Sequence, residues 1–536
     1  MVISEQHVQV LIVGAGPSGL MMAAQLLRHG VQPAIIDTRQ GPTDYSKALA
    51  VQARTLEIYR QMGIAERIVK EGKHASGVTF NSNGKPQASL SFNDIGTGKT
   101  AFPYVHFYQQ SKNERLLLDY LTLNCCPVYW ETSLISLQQD TDKITTQLKN
   151  TDSEYTITCD RLIGADGAHS TVRKQLNIPF RGDTYQHKFY LADVKLANEL
   201  GDNIQLYPAK DGFAAFFPMP EENCFRIVGS LPYNLTESEE NLQLDDVLPH
   251  LSKIAGYPVK VVHCNWFTLY KLHHRMAEHF RQQRCFLVGD AAHIHSPVGG
   301  QGMNTGLQDA YNLGWKLAGV VSGQISPAIL DSYETERMPV AKDLLNSTDR
   351  AFSIIMSKNW LAGLFKSWVL PKLLNFMWSS QKLKAAFFEQ VSQTGISYRQ
   401  SRLNLHLSNS SPVKAGDRLP YVKIFDEKKQ EETDLHEWCS KPGFTLIVLG
   451  KLQELDLFTL AKWITQNYNG NLNFFYLPPS LKNQEVFDHF KIGEKQKKAF
   501  IIRPDMYIGY INDVVDIDMM DNYLLNVVSF VKRVAT

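Results

Sequence analysis

Three short segments carry most of the chemistry open to this chain. The first is Gly14-Ala15-Gly16-Pro17-Ser18-Gly19. Its spacing suits a tight turn at Gly14, close backbone approach to a pyrophosphate at Gly16, and close packing of helix on strand at Gly19. A helix starting at Pro17 and Ser18 would offer free N–H groups and partial positive charge to phosphate oxygens. Asp37 follows at the distance where a carboxylate accepts from adenosine ribose hydroxyls. The second segment runs from Arg161 to Arg173, with Asp166-Gly167 at a strand end and Ser170 and Arg173 beyond it. The third is Gly289-Asp290-Ala291-Ala292-His293, continuing through Pro297 to Gly299-Gly300-Gln301-Gly302-Met303-Asn304. There a carboxylate can meet a polyol chain, and the glycines let backbone approach a flat ring. Asp166 reads first as a residue capping its own turn. His293 reads as structural beside the Gly-Asp turn, and His295 shows no partner in the sequence.

Each segment needs a strand end to hold it. Val8–Val13 is almost wholly apolar, as a parallel strand buried on both faces is. A helical pattern follows over Ser18–His29, then a second buried strand at Ala34–Ile36 and a helix over Arg54–Met62. From Tyr185 to Tyr270 the runs Phe189–Leu196, Gly212–Pro218 and Cys224–Ser230 alternate, which predicts an antiparallel platform. Cys285–Val288 returns as a buried strand, and a long helix covers Gln301 to Val320. Residues 335–400 read as mostly helical. From Gly443 onward strand and helix alternate again, at Phe444–Leu449, Leu457–Gln466, Asn473–Tyr476, Ala499–Ile502 and Tyr507–Ile511, with a last helix from Met519.

The order and spacing of these motifs resemble the class A flavoprotein aromatic hydroxylases, relatives of para-hydroxybenzoate hydroxylase and phenol hydroxylase. The resemblance spans roughly the first 350 residues. It is strengthened by Ala53-Arg54-Thr55-Leu56-Glu57, by Gln110 with Glu114 and Leu117, and by Asn312-Leu313-Gly314-Trp315-Lys316-Leu317-Ala318. Tyr398-Arg399, Gly416-Asp417-Arg418-Leu419-Pro420 and Arg503-Pro504-Asp505 resemble its longer branch. The fold implied is α/β: a Rossmann-like FAD-binding domain (1–75, 105–182 and 275–350) with an inserted antiparallel substrate-binding sheet (76–104 and 183–274). A helical segment (351–400) and a C-terminal thioredoxin-like α/β domain (401–536) complete it. Gly450-Lys451-Leu452-Gln453 stands where a redox pair would sit, so no dithiol chemistry is expected there.

The resemblance implies an FAD-dependent monooxygenase. It would use NADPH or NADH and O2 to hydroxylate a small aromatic, phenol-like or polyketide-like compound through a flavin C4a-hydroperoxide. Gly14, Gly16, Pro17, Ser18, Gly19, Asp37, Thr38 and Arg39 would bind the dinucleotide. Arg54 and Gln110 would reach its phosphates and ribityl chain, and Asp290 the ribityl hydroxyls. Asp166 is assigned in the family a further part near FAD and the nicotinamide cofactor. Gly300, Gly302, Met303 and Asn304 would bring a helix N-terminus to the flavin, with Pro297 lining the ring. Many relatives carry Glu at the Asp37 position. Leu49 stands where phenol hydroxylase has an activating Asp, which leaves Tyr270 or His274 as the candidate base. Arg39, Lys47 and Arg60 are cations near a 2′-phosphate position, each readable as a surface charge. Tyr190, Phe213, Phe216, Phe217, His106 and Phe107 supply candidate pocket aromatics, each readable as core. The same motifs serve epoxidases, Baeyer–Villiger-type and antibiotic-inactivating monooxygenases, or a catalytically silent FAD-retaining protein, and they do not separate these.

Composition agrees. The chain has 536 residues, 44% hydrophobic and 20% charged, with a net charge of +1, which provides no electrostatic footprint for nucleic acid. Seven scattered cysteines without CxxC argue against a disulfide framework or metal site and fit the cytoplasm. No signal peptide is read. Trp360–Trp378 is interrupted by Lys366, Pro371 and Lys372, so no membrane span is expected. A homodimer is left open.

Overall fold

The computed structural model describes residues 3, 5–45, 47–82, 84–209, 212–232, 242–295, 299–356, 373, 376 and 378–531. Pro297 and most of Trp360–Trp378 lie outside them.

The strand His7–Val13 is the centre of the first sheet. It pairs in parallel with Ala34–Ile36 on one side and Glu154–Gly164 on the other. Glu154–Gly164 pairs in parallel with Cys285–Leu287. The registers place Val13 opposite both Ile36 and Gly164, and Gly164 opposite Leu287. Segments as far apart in sequence as Val13 and Leu287 therefore end at one edge of the sheet. The carboxyl edge of a parallel sheet is where α/β folds bind ligands. The hairpin Ser133–Gln139 and Ile144–Lys149 extends this sheet antiparallel from Glu154–Gly164, an addition the motif reading did not foresee.

The second sheet has eight strands. Phe180–Leu196 and Val261–Ala277 pair antiparallel through most of their length, with bulges. Gly212–Pro218 and Cys224–Ser230 pair beside them with the bounds expected from alternation. Phe180–Leu196 begins nine residues earlier than the alternating run. The helix Leu244–Ala255 was not anticipated, because Pro249 interrupts its pattern. It covers one face, where Val247 and Leu251 join Tyr190, Ala192, Phe216 and Ile227. The other face carries Phe189, Tyr270, Leu272, Tyr185 and Phe213.

The helix Gly302–Val321 is buried around its whole circumference, between the first sheet and the C-terminal region. It is followed by Asp331–Met356 and, further on, by Gln381–Val391. The C-terminal sheet is mixed, in the order Leu405–Leu407, Ile508–Asn512, Lys497–Ile502, Phe444–Gly450, Leu472–Leu477. It packs directly on the first domain: Trp315 meets Phe444 edge-on at 5.4 Å. Arg503 pairs with Glu336 at 2.6 Å and Lys316 with Glu336 at 2.7 Å, all three wholly buried.

Candidate active site

The aligned strand ends assemble a groove. Gly14 has φ +106°, and a Cβ there would lie 2.4 Å from the Ala165 carbonyl oxygen. Only glycine allows the first and second motifs to approach this closely. At Gly16 the opposite holds: a Cβ would meet nothing within 4 Å. The backbone there borders open space, as a ligand cradle requires. The helix Pro17–Arg28 starts at that point with no acidic residue in its first turn and no side-chain cap among the described residues. Its N–H groups are free for an anion. Ser18 packs between the motifs: a Cβ on Gly289 or on Gly306 would come within 2.3 Å of its Oγ. The helix Gly302–Val321 likewise starts without an acidic first turn or a side-chain cap among the described residues.

Asp37 is buried and accepts from the Ala15 N–H at 2.7 Å and the Arg39 N–H at 2.8 Å. Arg39 folds back onto Asp37 and reaches Glu114 at 3.2 Å. Thr38 between them is exposed. Gln110 accepts from the Ala48 N–H at 3.2 Å and donates to Glu114 at 3.0 Å, so it anchors the segment before Ala50. Asp166 accepts from the Ser170 hydroxyl and from the Thr171 and Val172 N–H groups. It caps its own helix, and burial outweighs those bonds to raise its pKa. Arg173 donates to the carbonyls of Ala168 and Ala291, joining the second and third motifs.

Asp290 is open to solvent and accepts no hydrogen bond among the described residues. It stands in the turn that follows the strand Cys285–Leu287, and desolvation by the neighbouring protein raises its pKa against the pull of His293 and Lys47. A carboxylate exposed in a concave site with no partner is suited to accept from ligand hydroxyls. Gly300 (φ +62°) turns the chain beside Ala50 before Gly302 and Met303, which are partly accessible.

Two expected cofactor contacts lie elsewhere. Arg54 has no accessible surface. It pairs with Glu57 at 3.0 Å and donates to the Asp505 carbonyl at 2.7 Å, with its guanidinium over the Tyr311 and Tyr507 rings. A ligand cannot touch it there; it belongs to the junction with the C-terminal sheet. Asn304 is also wholly buried. Its amide bridges the Ala50 and Gly300 carbonyls and accepts from Gln52 and Thr55, so it shapes the turn without facing the groove. Of the surface cations, Arg60 pairs with Asp434 of the C-terminal region at 2.8 Å, and Lys47 is exposed.

Tyr270 packs on Phe189 with ring centroids 6.0 Å apart. Its hydroxyl has no hydrogen bond among the described residues, and burial raises its pKa far above the ordinary value, with Arg226 opposing. It therefore holds its proton at neutral pH and suits donation better than abstraction. His274 lies four residues on, roughly 13 Å along the strand, beside Tyr185 at 5.2 Å. The two cannot serve one small ring together. His106 is wholly buried, with Nε2 bonded to the Ile68 carbonyl, away from any pocket. His293 is structural as expected, bonded to Asp309 at 2.7 Å, and His295 does have a neighbour: its ring stacks with His293 at 6.2 Å.

Sequence reading missed Asp309 and Arg226. Asp309 accepts from Gly289 N–H, His293 and Arg337 at once. Arg226 pairs in bidentate fashion with Asp193 at 2.7 Å and donates to the Lys47 and Ala48 carbonyls, tying the platform to the groove. For Arg226 the available signal was a lone charge inside a buried strand, and for Asp309 an acid inside a helix buried on every side.

Residues 7–348 match the family model described as an FAD binding domain. The chain belongs to the class A flavoprotein hydroxylases. It is 36% identical over 427 residues to pentachlorophenol 4-monooxygenase of Sphingobium chlorophenolicum, covering 77% of this chain and 76% of that protein. It is 36% identical over 377 residues to 6-methylpretetramide 4-monooxygenase of Streptomyces rimosus, covering 70% of this chain and 66% of that protein. The solved structure of an anhydrotetracycline hydroxylase from Streptomyces rimosus superposes with a TM-score of 0.79 at 27% identity, covering 98% of this chain and 99% of that one. This hydroxylase is an FAD-dependent monooxygenase of the aromatic type. The groove fits FAD: glycine backbone and a helix N-terminus for pyrophosphate, an open carboxylate for the ribityl chain, and a second helix N-terminus for the ring's anionic edge. Among the described residues no helix is long and apolar enough to cross a membrane.

Proposed function

We propose that the substrate is a phenolic or polyketide-like aromatic, held between the groove and the Phe189–Tyr270 face of the second sheet. FAD supplies the redox chemistry when bound, taking electrons from a nicotinamide dinucleotide and activating O2. The chain's own residues do the rest. Gly16 and the helix N-terminus at Pro17 hold the phosphates, Asp290 takes the ribityl hydroxyls, and the N-terminus at Gly302 favours negative charge on the ring edge. The apolar face of Phe189, Phe213 and Leu272 keeps water from the reacting atoms. Tyr270 keeps its proton and donates to a substrate oxygen, which orients the ring without removing its proton.

The observation that carries this reading is the alignment of three strand ends, sealed by Ser18 between Gly289 and Gly306. The alternating strand and helix order of the C-terminal region supports a thioredoxin-like unit that works as a brace, since Gly450-Lys451-Leu452-Gln453 contains no cysteine. Free thiols at all seven cysteines support a cytoplasmic setting. The purified protein should be yellow and oxidise NADPH or NADH faster when phenols or fused-ring phenols are added, with one oxygen atom entering the product. Colourless protein that rejects FAD, or turnover without oxygenated product, would overturn it.

A further inference from the structure

The helix Glu454–Asn467 turns Leu460, Trp463 and Ile464 into the core that holds Phe444 and Leu446. Its opposite side is not polar. Leu455 is 72% exposed and Phe458 66%. At 3.6 residues per turn, Glu454, Leu455, Phe458, Ala461, Lys462 and Thr465 all lie within about 60° of the direction of Phe458. All six are exposed. A Leu and a Phe left side by side in water forfeit the burial each could gain, and such a face, rimmed by charge, marks a contact.

The order of residues along that face points to what covers it. Glu454 and Lys462 stand four residues either side of Phe458, and Leu455 and Ala461 three either side. A two-fold axis beside Phe458 lays the same helix of a second copy antiparallel on the first. Each Glu454 then meets the second copy's Lys462, and the two Phe458 rings meet at the axis. Leu455 packs against the second copy's Ala461 and the methylenes of its Lys462. A parallel pairing would set Glu454 on Glu454 and Lys462 on Lys462, and like charges disfavour it. Neither Glu454 nor Lys462 has an ion-pair partner in its own chain among the described residues, so both charges are free to pair. An anionic membrane surface would call for a rim rich in Lys and Arg, whereas here one acid balances one base.

We propose that this chain forms a symmetric dimer through the exposed face of the helix Glu454–Asn467, centred on Phe458. The helix is roughly 21 Å long. One such face buries less than the ~1,200 Å² of a stable interface, so the dimer is weak and depends on concentration. It stands apart from the hydroxylase reading, because it uses no residue of the groove.

The test is sedimentation equilibrium of the FAD-loaded full chain from about 1 to 200 µM, the range in which a small interface dissociates. The wild type should pass from monomer to dimer. Phe458→Ser should raise the dimer Kd at least about ten-fold, as loss of a central aromatic anchor does. Lys462→Glu and Glu454→Lys should each weaken the dimer by like-charge contact, more at low salt than at high. The double swap Glu454→Lys/Lys462→Glu should return the Kd to within about two-fold of the wild type, because the pair is only reversed. The substituted side chains are exposed, so the fold should hold, and circular dichroism verifies it. A monomer at every concentration would overturn the dimer. So would a dimer indifferent to Phe458→Ser, a double swap no tighter than the single ones, or a monomer that phosphatidylserine vesicles carry down through Phe458.

Discussion

The Asp309 carboxylate meets the Arg337 guanidinium at 2.7 Å with both side chains wholly out of solvent. The same carboxylate receives His293 and the Gly289 N–H, while Arg337 also reaches the Tyr398 hydroxyl and the Thr305 carbonyl. One ion pair thus fixes the Gly-Asp turn of the groove from behind.

Asp309→Asn should leave Arg337 buried without its counter-charge. A cost of about 3 kcal/mol or more is expected from breaking one partner of such a pair. Denaturant unfolding checks the stability, and FAD titration should show weaker binding because Gly289 loses its anchor. A variant as stable as the wild type would refute the role given to this carboxylate.

Gly16→Val and Gly19→Val should fail differently. At Gly16 the added carbons enter the ligand's space, so the apoprotein should fold while FAD affinity falls at least about ten-fold, or ~1.4 kcal/mol. At Gly19 a Cβ would lie 1.9 Å from the Gly14 carbonyl oxygen, so the fold itself should suffer. Circular dichroism of the apoproteins with flavin titration separates the two.

Arg54→Leu should destabilise the chain by about 3 kcal/mol, because Glu57 loses one of its buried partners. Burial works to raise the Glu57 pKa, but Arg418, His436 and Arg54 together hold it below the usual range. FAD affinity should change less than three-fold, since Arg54 has no surface at the groove. A large loss of FAD binding in a well-folded variant would restore Arg54 to the cofactor site.

His106 gives an acid-sensitive term. Burial chiefly, and His74 to a lesser degree, lower its pKa to about 4, against a bond to the Ile68 carbonyl. Unfolded, the imidazole titrates near its ordinary 6.5. The unfolded state therefore gains its proton first as pH falls. Stability from neutral His106 is complete above pH 6.5 and is lost as pH drops through 6.5 towards 4, by roughly 3 kcal/mol. His106→Gln should flatten that part of the Tm profile between pH 7 and 4; an unchanged slope would contradict it.

Much of the nucleotide half was legible because its determinants are local. A GxGxxG turn, an apolar strand before it and a helix after it constrain one another within about 30 residues. Gly212–Pro218 and Cys224–Ser230 were readable because their side chains alternate in kind. Arg54 was misplaced for a nonlocal reason: its direction is set by Asp505, 451 residues away. Arg226 was passed over because a strand pattern does not say which face meets another domain. Phe180–Leu196 was read short because Arg181, Gly182 and Asp183 resemble a turn, yet pair with Met276, Arg275 and His274.

The reach of Arg503 into the core has a consequence for engineering. Shortening this protein to its first 400 residues would leave Glu336 and Lys316 without the guanidinium between Trp315 and Tyr398. Grafting the oxygenating half onto another scaffold therefore requires carrying the last sheet along, or replacing that whole charged cluster with hydrocarbon.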